Sequence, residues 1–221
     1  MSTTRALIIA LGALLLLGLG AGIWLAAKFG PFLFEPGRVG HSYYTSSESM
    51  LPTLRVRDQI FPLAKPADEL KRGDVIVFRS GTDIRVSRIA ALPGDKIEVD
   101  GVGITLNDQR IALRRSGKAF ASSMGRGDVL AEQFPGEPHT HHILDLSVSG
   151  ILAPMGTFGP VRVPTGHLFV LGDNRLNAVD SRYDGSLGGV GMVPASAVIG
   201  VVDKIFVSPE RGKWLIPIDG E

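Results

Sequence analysis

Residues 73–100 read GDVIVFRSGTDIRVSRIAALPGDKIEVD. Within them DVIVF (74–78), IRVSRIAAL (84–92) and KIEVD (96–100) are short runs rich in Val and Ile, separated by turn formers such as PGD. That is the pattern of strands in an antiparallel sheet. The same pattern returns in HLFVL at 167–171 and AVIGVVDKIFV at 197–207. No window after residue 30 sustains a 3.6-residue apolar period over three turns, so long helices are not expected there. The 28 glycines and 14 prolines among 221 residues multiply the turns. The expected fold class beyond residue 40 is all-β.

Working outward, the amino-terminal side is different in kind. Residues 6–27, ALIIALGALLLLGLGAGIWLAA, contain no charge. As a helix of 1.5 Å rise they span roughly 33 Å, enough for a bilayer's hydrocarbon core of about 30 Å. The apolar region of a cleaved signal peptide is shorter, about 7–15 residues, so an uncleaved transmembrane anchor is expected. Arg5 faces Lys28 and Arg38 across this run, which leaves its orientation unencoded. The chain carries 23 basic and 22 acidic side chains. Such balance excludes the basic footprint of a nucleic-acid binder. There is no cysteine, which excludes disulfide scaffolds, thiol nucleophiles and Cys-ligated zinc.

The expected organisation is a short tail (1–5), the anchor (6–27), a juxtamembrane connector (28–40), a β core (41–103 and 161–221), and an inserted subdomain (104–160). The insertion has few strand signals and contains the loop-like EQFPGEPHTHH. Alternating His139 and His141 would share one face of a strand and could ligate a metal, but no third ligand is evident.

Shortly after the anchor stands Ser47-Glu48-Ser49-Met50-Leu51-Pro52-Thr53-Leu54. Taken alone it is a polar turn, and most serines on turns bond only their own backbone. Its spacing, however, resembles the SxSMxPTL box of the type I signal peptidases, membrane-bound serine endopeptidases that remove signal peptides. Four more stretches match in order. GDVIVF (73–78) resembles the family's GDxVxF strand, and RIAALPGDK (88–96) its R-x-x-G-LPGD-K strand and turn, with Ala91 for Gly. VPTGHLFVL (163–171) resembles the VPxGxxFVLG lead-in, and GDNRLNAVDSR (172–182) resembles GDNRDNSxDSR.

The resemblance implies a signal-peptidase-like antiparallel core of two subdomains behind one transmembrane helix. It also implies acyl transfer by a Ser nucleophile and a Lys general base, without cofactor or metal. Ser49 aligns with the nucleophile. Its backbone N–H and the Ser47 hydroxyl align with the oxyanion hole. Arg88, Asp173, Arg175, Asp180 and Arg182 align with residues expected to scaffold the site, Asp180 and Arg182 as an ion pair. The implied partners are secreted preproteins with small side chains at −1 and −3, bound as an added strand, and the lipid bilayer. The implied location is the plasma or inner membrane, single-pass, with an extracytoplasmic catalytic domain.

One departure bears on the chemistry. The general-base Lys should precede Arg88, and that position is Ser87. A neutral Lys can take a proton from a serine hydroxyl; another serine cannot. Arg85 and Arg88 stay protonated and offer no acceptor. The family's Ser that orients the Lys is here Ala178. Substitute bases would have to come from His41, His139, His141, His142, His167, Lys65, Lys71 or Lys96. The expectation is a signal-peptide-removing endopeptidase; the alternative is a pseudopeptidase that binds export substrates without cutting them.

Overall fold

The computed structural model describes residues 3–147 and 157–218. Residues 1–2 of the expected tail, 148–156 of the expected insertion and 219–221 of the expected core lie outside it. Two units can be distinguished, residues 1–38 and 39–221. In the first, α1 (Thr3–Leu33) is a 31-residue helix. It runs past Ala27, the expected end of the anchor, and carries Pro31 in its last turn. Residues Leu14–Leu33 are long and apolar enough to cross a membrane. The leucines from Leu14 on are exposed all round, Leu15 by 75 %. Apolar side chains on every face suit this helix to a membrane span, since in water such a surface would be costly to leave unburied.

The second unit is almost entirely β. In chain order its first strands are β1 (Tyr43–Tyr44), β2 (Gln59–Ile60), β3 (Val75–Ser80), β4 (Asp83–Ala91), β5 (Lys96–Asp100), β6 (Gly103–Leu106) and β7 (Gln109–Arg110). Next come β8 (Arg114–Ser122), β9 (Gly125–Glu132), β10 (His141–Asp145), β11 (Phe158–Arg162) and β12 (His167–Leu171). Last are β13 (Val193–Pro194), β14 (Val198–Val202), β15 (Lys204–Ser208) and β16 (Lys213–Pro217). They form a five-stranded sheet β13-β12-β4-β3-β14, two four-stranded sheets, β1-β2-β15-β16 and β11-β5-β6-β7, and a three-stranded sheet β10-β9-β8. All these strand pairs are antiparallel.

The five-stranded sheet is buried on both faces, which is why β3 reads as an unbroken apolar run. Ile76 and Phe78 join Ile89, Leu168, Val170 and Val201 on one side. Val75 and Val77 join Met50, Leu54, Ile60 and Ile205 on the other. At about 0.8 kcal/mol per buried methylene, the two clusters also fix the register, because a one-residue slip would exchange them.

The insertion is richer in strands than its sequence suggests. β6, β7 and β11 complete a sheet around β5, and β8, β9 and β10 form a sheet of their own. The loop-like residues 132–142 end in β10, and His139 precedes that strand. His139 and His141 therefore do not share a strand face.

Candidate active site

The turn carrying Ser49 is held by its apolar residues. Met50 and Leu54 plug into the core beneath β3, while Leu51 packs with Val129, Leu144 and Leu146 under β9 and β10. The Leu54 N–H donates to the Met50 carbonyl at 2.9 Å, closing one helical turn. Three buried neighbours leave Ser47 and Ser49 on the solvent side of the turn. The two hydroxyls lie 3.0 Å apart.

A second loop, Gly172–Arg182, clamps this turn from behind. The Asn174 N–H donates to the Ser49 carbonyl at 2.9 Å, and its side-chain amide donates to the Glu48 carbonyl at 3.1 Å. Gly172 is required by closeness: a Cβ there would sit 2.6 Å from the Ser49 carbonyl oxygen and 2.4 Å from the Ala178 Cβ. The loop is itself pinned by two buried bidentate ion pairs. Arg88 on β4 donates to Asp173 through Nε at 2.9 Å and Nη2 at 2.8 Å. Arg182 donates to Asp180 through Nε and Nη2, both at 2.8 Å. Asp180 also accepts the Gly172 N–H at 3.0 Å. The Thr53 hydroxyl donates to Asp173, tying the two loops together.

Behind the clamp runs a chain of buried charge that motif reading did not reveal. Arg88 Nη1 lies 4.0 Å from Glu137, which lies 2.8 Å from His141 Nδ1. His141 Nε2 lies 3.0 Å from Glu132, which pairs with Arg175. Burial pushes the Glu132 carboxyl up, but Arg175 and His141 outweigh it and hold it at about 2. Burial and the Arg88 charge push His141 down. The two carboxylates on its ring nitrogens prevail, and its pKa is raised. Burial likewise opposes ionisation of Asp173, yet Arg88 holds its pKa below the usual carboxylate value. Its two arginines fall in the motifs that carry the resemblance, whereas Glu132, Glu137 and His141 stand in a segment that reads as loop.

Ser47, Ser49, Ser87, Ala178, Arg85 and Asp180 line one cleft of about 570 Å³. Ser87 is 7 % exposed, and its hydroxyl donates to its neighbour's carbonyl, that of Val86, at 2.8 Å. Arg85 faces Asp83 at 3.4 Å. No Lys or His is among the described residues lining this cleft. The substitute bases lie elsewhere. His141 is locked between carboxylates, and His142 lines a different cleft. The His167 ring lies 3.0 Å from the Thr165 carbonyl, Lys65 faces Asp74, and Lys96 bonds Asp108. His41, His139 and Lys71 are exposed. Among the described residues no cluster of three His, Cys, Asp or Glu could hold a metal.

The cleft also has an open strand edge. Residues 83–88 of β4 pair with β3, whereas β12 pairs only with residues 88–91. The backbone of residues 83–87 is therefore open on the side that lines the cleft. An open edge of this kind can accept an extended peptide as an added strand.

The family model described as "Signal peptidase, peptidase S26" matches residues 21–207. Signal peptidase I P of Bacillus subtilis subsp. natto is 31 % identical over 185 residues, covering 81 % of this chain and 80 % of that protein. Signal peptidase I T of Bacillus subtilis (strain 168) is 29 % identical over 190 residues, with coverages of 83 % and 79 %. A solved signal peptidase I from Enterococcus faecalis V583 aligns with 62 % of this chain at 23 % identity and a TM-score of 0.33, too low to bear on the fold.

Proposed function

The chain belongs to the signal peptidases of peptidase family S26, and on that premise we propose that Ser49 is the nucleophile of an endopeptidase that works without a side-chain amine base. Its reaction is the removal of signal peptides from exported preproteins. α1 anchors the chain in the bilayer, and the β unit acts on the side to which preproteins are exported. The substrate lies as an added strand along residues 83–87, with small side chains directed into the cleft. Arg88, Asp173, Arg175, Asp180 and Arg182 scaffold the site and take no part in the chemistry.

The observation that carries this reading is the shared cleft. Ser49, the Ser47 hydroxyl 3.0 Å from it, Ser87 and Ala178 all face the same space. In the reaction Ser49 Oγ forms a bond to the scissile carbonyl carbon. The oxyanion is met by the Ser49 N–H and the Ser47 hydroxyl, a donor pair of which each member is worth about 10²–10³ in kcat. The C–N bond then breaks as water protonates the leaving amine, and a second water attacks the Ser49 ester, whose C–O bond breaks to release the signal peptide as its carboxylate and restore the hydroxyl. In the absence of a neutralisable amine, the Ser49 proton passes to water or hydroxide in the open cleft. Arg85 at the rim stays cationic and cannot accept it. A positioned general base contributes about 10²–10⁴, so the enzyme is slow by that factor.

The test is restoration. The double variant Ser87→Lys/Ala178→Ser should raise the cleavage rate of a purified preprotein by about 10²–10⁴. Its pH profile should change from a continuous rise with hydroxide to a plateau above the pKa of the new amine. A folded double variant that gains nothing refutes the proposal.

A further inference from the structure

A second cleft, of about 560 Å³, begins where the nucleophile turn ends: Pro52 and Thr53 line it, three and four residues beyond Ser49. Its long walls are two strand edges. β8 is the outer strand of its three-stranded sheet and β16 the outer strand of its four-stranded sheet. Lys118, Ala119 and Phe120 of β8 line one side; Lys213, Ile216 and Pro217 of β16 line the other. Such edges present unpaired backbone N–H and C=O groups and are templates for an added strand.

Arg55, Lys118, Arg211 and Lys213 line the cleft, and no carboxylate does among the described residues. Arg55 pairs with Glu210 at 2.8 Å and Arg211 with Asp58 at 2.6 Å, so the charge of the cleft comes chiefly from the two lysines on its strand walls. Its floor is firmly built. Arg211 donates to the carbonyls of Pro52 at 3.0 Å and Thr53 at 2.9 Å, tying the end of the nucleophile turn to the β15–β16 connection. Arg55 stands over the Phe120 ring at 5.0 Å, and its Nε is buried without a hydrogen-bond partner. Lysines on two open strand edges, with Val129, Ile205 and Ile216 between them, suit one kind of occupant, an extended polypeptide carrying Asp or Glu.

We infer that this cleft binds the mature segment of the preprotein, just downstream of the scissile bond, and selects for acidic residues there. The inference rests on the signal-peptidase reading, because that reading places the scissile carbonyl at Ser49. The acyl side of the substrate occupies the cleft along residues 83–87. The amine side then leaves past the turn, whose far end Pro52 and Thr53 form, and an extended strand advances about 3.3 Å per residue along that path. Backbone pairing to an edge strand would supply affinity, and Lys118 and Lys213 the charge preference.

The test uses the full chain carrying Ser49→Ala in detergent micelles, so that binding is read without cleavage. Three fluorescent preproteins differ only at positions +3 to +7, made acidic, neutral or basic. At low salt the acidic one should bind at least about tenfold more tightly than the basic one. The preference should shrink as salt shortens the Debye length from about 30 Å at 0.01 M to about 8 Å at 0.15 M. Lys118→Glu/Lys213→Glu should invert it. Equal affinity for all three, or a preference unchanged in that variant, overturns the inference. So would displacement of the acidic preprotein by equimolar glycerol phosphate, which would make the cleft a lipid-headgroup site. Failure of all three preproteins to bind would instead refute the signal-peptidase reading from which the inference starts.

Discussion

Replacing Asp173 by Asn keeps the shape of the side chain and removes its charge. Arg88 is 1 % exposed and Asp173 fully buried, so the guanidinium has no water to turn to. It keeps the Gly73 carbonyl at 2.8 Å and the more distant Glu137 carboxylate at 4.0 Å, but loses the carboxylate it holds through two nitrogens. Breaking one partner out of a buried ion pair costs about 3–5 kcal/mol. With Glu137 as a residual counter-charge, the expected loss is at the lower end, about 3 kcal/mol. Guanidinium unfolding of the full chain in micelles measures it directly. Cleavage should fall alongside, since the next residue, Asn174, holds the Ser49 carbonyl. Arg88→Met/Asp173→Leu should recover most of the stability, because no charge is left buried without its partner. A loss below about 1 kcal/mol in Asp173→Asn, or a double variant as unstable as the two single losses added, would refute the reasoning.

The raised pKa of His141 makes its imidazolium a stabilising charge that is fully present below about 6.5, its unfolded value, and lost as pH rises through the folded one. Thermal melts should therefore show the protein losing stability above pH 6.5 relative to His141→Gln. A gap between the two that does not change with pH would contradict this. Glu132, at about 2 when folded, contributes in the opposite sense. Its stabilisation is complete above about 4.5 and drains away as pH falls toward 2, and Glu132→Gln should flatten that acid limb. Gly172→Ala would drive a methyl to 2.6 Å from the Ser49 carbonyl oxygen and 2.4 Å from Ala178. Overpacking of this kind costs about 1–3 kcal/mol, and because the strain falls on the turn that carries Ser49, cleavage should be lost in protein that still melts cooperatively.

Much of the β core is legible in sequence because burial on both faces leaves β3 and β12 as unbroken apolar runs. The run at 197–207 reads as one strand and folds as two. Asp203 interrupts it, so that β14 closes the five-stranded sheet and β15 pairs with β2 and β16. The hairpin of β8 and β9 is illegible for a different reason. Most of β8 is exposed or half-buried on both faces, so no period-two pattern arises, and its pairing comes from backbone bonds and contacts such as Arg115–Asp128 at 2.9 Å. At the site, Ser49 and the Gly172–Arg182 loop can be found by motif. Of the chain Arg88–Glu137–His141–Glu132–Arg175, motif gives only the two arginines, because the rest are brought to them by packing between the five-stranded and three-stranded sheets and their loops. The helix outlasts its uncharged stretch because Lys28 and Pro31 both fall near its end, where a charge and a missing N–H are least disruptive.

The central claim is that Ser49 Oγ opens the scissile peptide bond. The full chain and its Ser49→Ala variant, each reconstituted into vesicles, should be incubated for hours with the same preprotein, and the new amino terminus sequenced. A mature terminus generated slowly by the native chain and not at all by Ser49→Ala is the predicted result. Equal cleavage by both, or none by the native chain at any pH up to its unfolding, would contradict the account.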